Sequence, residues 1–429
     1  MDYRKRVDMI VLGGGFTGCA AAIAAARQGL RVLLLEASGF LGGAASNNLV
    51  FPFMGYSTKL TKENGETCTH VLSRGIFSEI TKALHERLDA GAKASAFCDE
   101  DLKRILDDMV VREGVEVLFH AVLCGAEKDG AHLRSVSVTT KMGVLVFEAE
   151  VFIDCTGDAD LCAMAGVPTR LGRENDSLCQ PMTLCFRVAN VDKQAFNAGG
   201  QEMQKKYREW RESGRLQNPR ENILVFDYPV EGVLHFNTTR IVRRNPVDPF
   251  DMTKAEMEAR RQVEELMNFF RETKTAGMEN AKLIYTAPSI GVRESRMLDG
   301  AYTLSADDLV ACTKFDDAIA AGNYAIDIHN PEGSGTVIYS FKPGTWYTIP
   351  YRSLTPRAED CDNLLVGGRC ISVTHEAQAA VRIMPICCTT GEAAGIGAAV
   401  ALRRKTTVQD ADIKEIQKVL TESGAYLGY

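Results

Sequence analysis

A glycine-rich segment near the N-terminus carries the strongest chemical signal in the sequence. Gly13, Gly15 and Gly18 form a G-x-G-x-x-G pattern, which follows an apolar β-branched segment and opens an alanine-rich one. Such a turn between a buried strand and a helix lets backbone N–H groups approach a pyrophosphate. Glu36 closes the next apolar segment, where a carboxylate accepts hydrogen bonds from both ribose hydroxyls and repels a 2′-phosphate. These residues predict a dinucleotide site.

Two further features favour FAD over NAD as the dinucleotide. Gly42 and Gly43 follow Glu36 closely, where the backbone can lie along the cofactor. A second glycine-bearing strand end, residues 154–158, follows three predicted antiparallel strands. A meander of this kind is normal in two-dinucleotide flavoproteins and uncommon in NAD dehydrogenases.

The elements that position these residues are predicted from hydrophobic periodicity and turn residues. We expect strands at 7–12, 31–35, 115–120, 121–126, 133–139, 144–149, 151–153 and 364–366, and helices at 19–28, within 75–113, and from 377 or 389 to 402. The pattern of apolar and charged residues changes between about 170 and 350. There we expect strands at 182–188, 223–228 and 233–242 and helices at 192–213 and 253–273, and the second helix should start near Asp251. The prediction is an α/β, Rossmann-like FAD-binding domain of discontinuous segments, 1–170 and 351–429, with an inserted α+β substrate domain, 171–350.

Composition excludes several classes of function. The chain has 429 residues and a net charge of −7, which argues against nonspecific nucleic-acid binding. Its 13 cysteines form no CxxC pair and no zinc spacing, so we predict no metal site and reduced thiols in a cytoplasmic protein. The charge-free segment 9–26 resembles a signal peptide or membrane span, but its glycines belong to the dinucleotide pattern. No membrane partner is expected, and a homo-oligomer is compatible with the sequence.

Four segments carry a resemblance to a known family. They are residues 290–302 (IGVRESRMLDGAY), 326–330 (IDIHN), 347–354 (YTIPYRSL) and 363–377 (NLLVGGRCISVTHEA), continued by Arg382, Pro385 and residues 391–395. Together they resemble the FAD-dependent oxidoreductases of the glutathione-reductase-like, two-dinucleotide flavoprotein superfamily. The resemblance runs from the N-terminus to about residue 402. It implies FAD as cofactor and a two-domain flavoprotein fold, and it implies no particular substrate.

The resemblance also implies cofactor contacts. The glycine turn and Glu36 would hold the ADP half, Gly42 and Gly43 would lie along the pyrophosphate and flavin, and Val122 would touch adenine. Many flavoproteins have Gly-Asp after the late strand, whereas this chain has Gly368-Arg369. Arg369 is then either a cation for the pyrophosphate or a surface arginine. The full predicted cofactor set is Gly13, Gly15, Phe16, Thr17, Gly18, Glu36, Ala37, Gly42, Gly43, Ser46, Val122, Gly157, Asp158, Gly368, Arg369 and Gly395.

The segment from Pro385 to Gly395 is expected to begin a helix aimed at the flavin. A helix N-terminus there would stabilise negative charge on the reduced flavin and would help it to accept hydride. Cys387 and Cys388 lie in this segment. A disulfide between adjacent cysteines is strained, so we favour a packing role over a redox role.

Candidate catalytic residues follow the late glycine strand. His375 could serve as a base near neutral pH, or it could be a structural or cofactor-binding histidine, and Glu376 could orient it or act alone. Arg293 is a third candidate. Arg293 and Arg296 would share one helical face and suit a carboxylate or other oxyanion, although structural ion pairs are equally plausible. The predicted substrate wall comprises His235, Asn237, Arg240, Arg293, Arg296 and His329.

The expected reaction is hydride transfer between a small-molecule substrate and flavin N5. Alcohol or amine oxidation, desaturation next to a carbonyl, and the reverse alkene reduction are all compatible with it. No second G-x-G-x-x-G occurs, so we expect no built-in NAD(P)H domain, and the electron donor or acceptor is unknown. One alternative is a flavoprotein electron-transfer subunit with a redox partner protein; another is a binding or assembly module with a vestigial cofactor site.

Overall fold

The computed structural model describes residues 4–62, 64–89 and 91–429. The strands are β1 (Arg4–Leu12), β2 (Val32–Leu35), β3 (Ser57–Thr61), β4 (Thr67–Val71), β5 (Glu116–Leu118), β6 (Val122–Asp129), β7 (His132–Thr140), β8 (Gly143–Asp154), β9 (Thr169–Leu171), β10 (Phe186–Ala189), β11 (Val225–Asp227), β12 (Leu234–Phe236), β13 (Lys282–Thr286), β14 (Arg296–Leu298), β15 (Ala318–Gly322), β16 (Ile326–His329), β17 (Thr336–Tyr339), β18 (Tyr347–Pro350) and β19 (Leu364–Val366). The α-helices are α1 (Phe16–Arg27), α2 (Ile76–His85), α3 (Asp99–Arg112), α4 (Asp160–Met164), α5 (Lys193–Ala198), α6 (Gly200–Glu212), α7 (Pro249–Glu272), α8 (Ala306–Val310), α9 (His375–Val381), α10 (Met384–Arg404) and α11 (Ile413–Glu422).

A seven-stranded sheet forms the frame of the molecule. Its order is β5-β2-β1-β8-β7-β6, and β19 pairs with β8 beyond the end of β7. Strands β5, β2, β1, β8 and β19 run parallel, whereas β6, β7 and β8 form an antiparallel meander. The end of β1 is buried on both faces, as expected of a parallel strand covered by helices. The predicted α/β, Rossmann-like class is confirmed.

Helices α1 and α10 pack closely because small residues line their contact. A Cβ atom added at Gly391 would lie 2.1 Å from the carbonyl oxygen of Thr17, and one at Gly395 would lie 2.2 Å from that of Ala21. Among the described helices, α10 alone is long and apolar enough to span a membrane, but 94% of its apolar window is buried inside the protein. Its composition is therefore that of a core helix.

A second hydrophobic core surrounds the sheet β11-β12-β10-β13. Phe186 and Phe236 stack there with ring centroids 4.9 Å apart, and the buried face of α7 covers them. Apart from Leu49, the buried members of this core lie between Met182 and Ile290. Apolar residues between 296 and 350 pack instead into the first core. The boundaries of the inserted domain stay a prediction.

Several predicted element boundaries are wrong for identifiable reasons. Strand β8 runs unbroken from Gly143 to Asp154, because its first half pairs with β7 and its second half with β19. Helix α7 begins before Asp251, because the Asp248 side chain accepts hydrogen bonds from the N–H groups of residues 250 and 251 and Pro249 fits the first helical position. The predicted strand 182–188 is shorter, since β10 begins at Phe186.

Candidate functional site

The glycine turn joins β1 to α1 with no room for side chains. Gly13 has φ +96°, and a Cβ atom there would lie 2.4 Å from the carbonyl oxygen of Cys155 on the neighbouring strand. A Cβ atom at Gly18 would lie 1.7 Å from the carbonyl oxygen of Gly13. Gly15 differs, because the nearest atom to its added Cβ is the Cα of Gly43 at 3.6 Å. A side chain at Gly15 would therefore fill open space beside the N-terminus of α1, which has no side-chain cap.

Glu36 is fixed against this turn at the end of β2. One carboxylate oxygen accepts a hydrogen bond from the N–H of Gly14 at 2.5 Å, and the other accepts one from Ser38 at 2.7 Å. The Gly42 N–H donates to the Gly14 carbonyl at 2.9 Å, which brings the second glycine pair beside the first. Glu36, Gly43 and Gly15 consequently face the same space.

That space is a single cavity of about 1140 Å³. It extends from Glu36 and Val122 past the N-termini of α1 and α10 to the second core's sheet and the hairpin β16–β17. Its volume exceeds the range of about 300–1,000 Å³ typical of small-ligand pockets. The open cradle at Gly15, the uncapped helix end and the carboxylate at Glu36 fit the phosphates and ribose of a dinucleotide such as FAD.

Eleven residues of the predicted cofactor set line this cavity: Gly13, Gly15, Phe16, Thr17, Glu36, Ala37, Gly43, Val122, Gly157, Asp158 and Arg369. Five others, all within the described chain, lie outside its lining: Gly18, Gly42, Ser46, Gly368 and Gly395. Each of these five has a packing role instead. For example, a Cβ atom at Gly368 would lie 2.6 Å from the Thr17 hydroxyl, and Ser46 donates to the Leu41 carbonyl.

Arg369 is held by an ion pair within the protein. Its guanidinium lies 2.9 Å from the Asp158 carboxylate and donates to the Ser295 hydroxyl at 2.9 Å. Arg296 is likewise paired with the Asp160 carboxylate and donates to the Asp158 carbonyl at 2.8 Å. The structure places Arg296, predicted for the substrate wall, in this ion pair and outside the cavity lining. Both arginines balance the aspartates that follow β8.

Helix α10 directs its N-terminus at the cavity, as the sequence predicts for this segment. Ile383, Met384 and Cys387 line the cavity there, and no side chain caps the helix. Cys387 and Cys388 are both free and buried, and burial raises the pKa of the Cys387 thiol to about 12. Cys387 is therefore a neutral thiol at pH 7, in agreement with a packing role.

Arg293 enters the cavity from the loop between β13 and β14. Its guanidinium donates to the Pro181 carbonyl at 2.6 Å, the Thr183 hydroxyl at 2.7 Å and the Asn237 side-chain oxygen at 3.3 Å. Burial, with the charges of Arg382 and other arginines, lowers the pKa of Arg293 to about 9, so the group remains cationic at pH 7. These three hydrogen-bond partners are all neutral.

Asp327 and His329 face the cavity from alternate positions of β16. Arg240 can only donate, so its 2.8 Å contact makes the Nδ1 atom of His329 an acceptor and places the proton on Nε2, 3.4 Å from Asp327. Burial, with the charge of Arg293, lowers the pKa of His329 to about 3, which leaves the ring neutral.

Asp327 is the anionic centre of this wall. Burial opposes its ionisation, yet hydrogen bonds from His329 and Tyr324 and the charge of Arg382 hold the pKa of Asp327 well below its usual value. The Tyr324 hydroxyl donates to Asp327 at 3.1 Å, and Arg382 lies 3.8 Å away. Burial and the charge of Asp327 raise the pKa of Tyr324 to about 12, so its hydroxyl keeps its proton at neutral pH.

The structure places His375 and Glu376, the two predicted catalytic residues of this segment, outside the cavity lining. His375 is buried outside the cavity lining, where its Nδ1 atom lies 2.7 Å from the Glu294 carboxylate. Glu376 is exposed on the first turn of α9. His235 is also outside the lining, enclosed by aromatic rings such as Phe51. Burial lowers the pKa of His235 to about 3.

Sequence reasoning missed several cavity residues that bear charge or a hydroxyl group, among them Arg220, Glu221, Tyr324, Asp327 and Arg382. Asp327 and Arg382 belong to segments that carried the family resemblance, and the alternation of Asp327 with His329 was a usable signal. Arg220 follows no motif. Of the predicted substrate residues, Asn237, Arg293 and His329 line the cavity, and Arg240 contacts it through His329.

Comparison with protein families gives one match over nearly the whole chain. The model of the FAD dependent oxidoreductase family matches residues 8–420. Among curated proteins, the tRNA uridine 5-carboxymethylaminomethyl modification enzyme MnmG of Geobacter metallireducens is 30% identical over 165 residues, which cover 36% of this chain and 24% of that protein. The MnmG of Geobacter sulfurreducens is 31% identical over 156 residues, covering 34% and 23%. The chain thus spans about a quarter of the length of these relatives.

Solved structures resemble this chain more distantly. A geranylgeranyl bacteriochlorophyll reductase-like protein of Thermoplasma acidophilum aligns over 99% of this chain and 85% of its own, with 12% identity and a TM-score of 0.47. The p-nitrophenol 4-monooxygenase PnpA of Pseudomonas putida aligns over 99% and 85%, with 11% identity and a TM-score of 0.45. We base no argument about function on these structures.

Proposed function

The chain belongs to the FAD-dependent oxidoreductase family, and from this premise we propose that it transfers a hydride between a small-molecule substrate and FAD. The protein is an enzyme, and FAD is its cofactor. The reaction and the substrate are the proposed part. The placement in the glutathione-reductase-like superfamily, the cytoplasmic location and the absence of nucleic-acid and membrane partners stay predictions.

The observation that carries the proposal is the continuity of the cavity. The cradle around Gly15 and Glu36 opens without a break into the wall formed by Arg293, Asp327 and His329. A cofactor in the cradle and a small molecule at this wall would share one continuous space, as direct hydride transfer requires. An electron-transfer subunit needs no such chamber for a second small molecule.

The chain's own groups bind and orient the reactants. The N-terminus of α1 and the carboxylate of Glu36 would hold the ADP half of FAD, and the N-terminus of α10 would stabilise negative charge at the cavity. When bound, FAD supplies the two-electron acceptor or donor. The aromatic and aliphatic side chains of Phe51, Met54 and Ile383 line the same cavity and exclude water from it.

Tyr324 is the group we propose for the accompanying proton. Its hydroxyl lies at the cavity and keeps its proton at neutral pH, and the Asp327 carboxylate 3.1 Å away can accept from it. In the reductive direction Tyr324 would donate its proton to the substrate and recover one from solvent, and Asp327 would fix its orientation. In the oxidative direction Tyr324 would pass its own proton to Asp327 as it accepts one from the substrate. This assignment replaces His375, whose ring does not reach the cavity lining.

Anaerobic reaction of the FAD-loaded protein with a panel of alcohols, amines, saturated acids and activated alkenes tests the proposal. Loss of visible flavin absorption with a substrate, or its recovery in the reduced enzyme with an alkene, is the expected result. The Tyr324→Phe variant should react about 10²-fold more slowly, as for loss of a general acid, whereas the control Tyr285→Phe, with an exposed side chain, should match the wild type. If the flavin responds only when a partner protein is added, the electron-transfer alternative replaces this proposal.

A further inference from the structure

The charged part of the cavity contains more positive than negative groups. We call the wall formed by Arg220, Glu221, Arg293, Tyr324, Asp327, His329 and Arg382 the arginine chamber. Its cations are Arg220, Arg293 and Arg382, with Arg240 behind His329. Its anions are Asp327 and Glu221, and His329 is neutral. Four cations face two carboxylates, which leaves about two positive charges without a partner.

Arg220 is the most exceptional member of the chamber. The residue is 7% exposed, its Nε atom is buried without a hydrogen-bond partner, and no Asp or Glu of the described chain forms an ion pair with its guanidinium. Burial lowers the pKa of the Arg220 guanidinium, and the charges of Glu221 and Asp327, which lie beyond ion-pair distance, oppose this only in part. A buried cation without a hydrogen-bonded partner is costly, and a bound anion is one way to satisfy it. The other cationic groups are engaged only in part: Arg293 has neutral partners, and Arg382 has one carboxylate at 3.8 Å.

The arginines come from separate parts of the chain and converge on one another. Arg220 lies in the loop after α6, Arg293 lies between β13 and β14, and Arg382 follows α9. All three line the same cavity, and the charges of Arg382, Arg220 and Arg240 help to lower the pKa of Arg293. Like charges gathered in a low-dielectric pocket are stable together only when anions lie between them.

We propose that the arginine chamber binds the substrate as a doubly charged oxyanion, with Arg220 as its principal ligand. The shared chemistry is that of a small dicarboxylate or a phosphate monoester, since guanidinium groups pair with both through two parallel hydrogen bonds. This inference rests on the proposed function, because it names the class of small molecule that would meet FAD in the same cavity. It predicts that neutral and singly charged analogues bind poorly.

Calorimetric titration of the FAD-loaded protein tests the inference with four probes: succinate, inorganic phosphate, butyrate and succinamide. Succinate or phosphate should bind, butyrate should bind at least about tenfold more weakly, and succinamide should not bind. Arg220→Gln should weaken the binding of the anion by about tenfold or more, as for loss of a charge-assisted hydrogen bond. Arg208→Gln, which removes an exposed arginine from α6, should leave it unchanged. The relative affinity for succinate and phosphate shows whether the chamber prefers a dicarboxylate or a phosphate.

Other outcomes would overturn the inference. These are no binding of succinate or phosphate to the FAD-loaded wild type, equal binding of butyrate, or equal affinity in Arg220→Gln. If Arg220→Gln fails to fold, Arg382→Gln takes its place with the same expectation. Flavin absorbance followed with the substrate panel described above separates the two proposals. Arg220-dependent anion binding with no flavin response to any member of that panel would leave this inference standing and would remove the hydride-transfer proposal.

Discussion

Replacing Gly15 with alanine should separate cofactor binding from folding. Gly15 has φ −70°, which alanine adopts without strain, and the nearest atom to an added Cβ is 3.6 Å away, an ordinary contact. A Gly→Ala change at a compatible φ stabilises a protein by about 0.4–1 kcal/mol, and the poorer N-cap propensity of alanine offsets part of this gain. We therefore expect the free energy of unfolding of the apoprotein to change by less than about 1 kcal/mol.

The same methyl group should weaken FAD binding strongly. It would project into the cavity between Gly15 and Gly43, where the cofactor is expected to lie against the backbone. Overpacking by one methyl group costs about 1–3 kcal/mol, which corresponds to about 5- to 150-fold in the dissociation constant. Fluorescence titration of the apoprotein with FAD gives this constant, and urea unfolding of the apoprotein gives the stability.

Two further variants sharpen the comparison. Gly55→Ala adds a methyl group in open space outside the cavity lining, and it should alter neither FAD affinity nor stability appreciably. Gly13→Ala should impair folding itself, because φ is +96° and the new Cβ would lie 2.4 Å from a backbone oxygen. Wild-type FAD affinity in Gly15→Ala would refute the reasoning, as would a loss of apoprotein stability as large as that of Gly13→Ala.

Three other predictions concern charge. Glu36→Gln should weaken FAD binding about tenfold or more, because a charged acceptor for the ribose hydroxyls is lost. The same fluorescence titration measures the dissociation constant, and an unchanged value would exclude Glu36 from the FAD site. Burial raises the pKa of Glu392 to about 8. Between about pH 4.5 and pH 8 the folded state therefore keeps a proton that the unfolded state has released. The free energy of unfolding should fall as the pH rises through this range. Urea unfolding at several pH values should show that the free energy of unfolding of Glu392→Gln rises relative to that of the wild type over this pH range. A difference that does not change with pH would contradict the assignment. Asp99→Ala leaves the buried Arg187 without the carboxylate that lies 2.6 Å from its guanidinium, and it should lower the unfolding free energy by about 3–5 kcal/mol. The control Glu66→Ala, which breaks an exposed ion pair, should lower it by less than about 1 kcal/mol. Similar losses for the two variants in urea unfolding would contradict the burial argument.

The part of the site that is local in sequence could be predicted from the sequence. The glycine turn, Glu36 and the strand–helix unit around them are fixed by neighbours within about one supersecondary unit, where steric rules act directly on residue type. Gly13 and Gly18 are required by backbone contacts that any such turn contains. The family was predictable from the four segments between residues 290 and 377 that resemble it, and the resemblance implies FAD as cofactor; both are confirmed.

The part that depends on long-range contacts could not be predicted. His375 follows the late glycine strand, so proximity in sequence favoured it as a base, but Glu294 from a distant loop draws it away from the cavity. Gly395 was assigned to the cofactor, yet its contact is with α1, because the sequence does not show which helix α10 meets. Arg220 lies in an irregular loop without periodicity, and only the fold brings it to Arg293.

The arginines of this protein show that the environment, and not the residue type, decides which cation is available to a ligand. Arg296 and Arg369 each pair with an aspartate that follows β8, so their charge is already satisfied next to the cofactor cradle. Arg220 has no such partner, although it lines the same cavity. Because the cradle and the arginine chamber are built from different segments, substitutions in the chamber can change the substrate while the glycine turn continues to hold FAD. Substrate specificity in this protein should therefore follow the balance of arginine and carboxylate groups around Arg220.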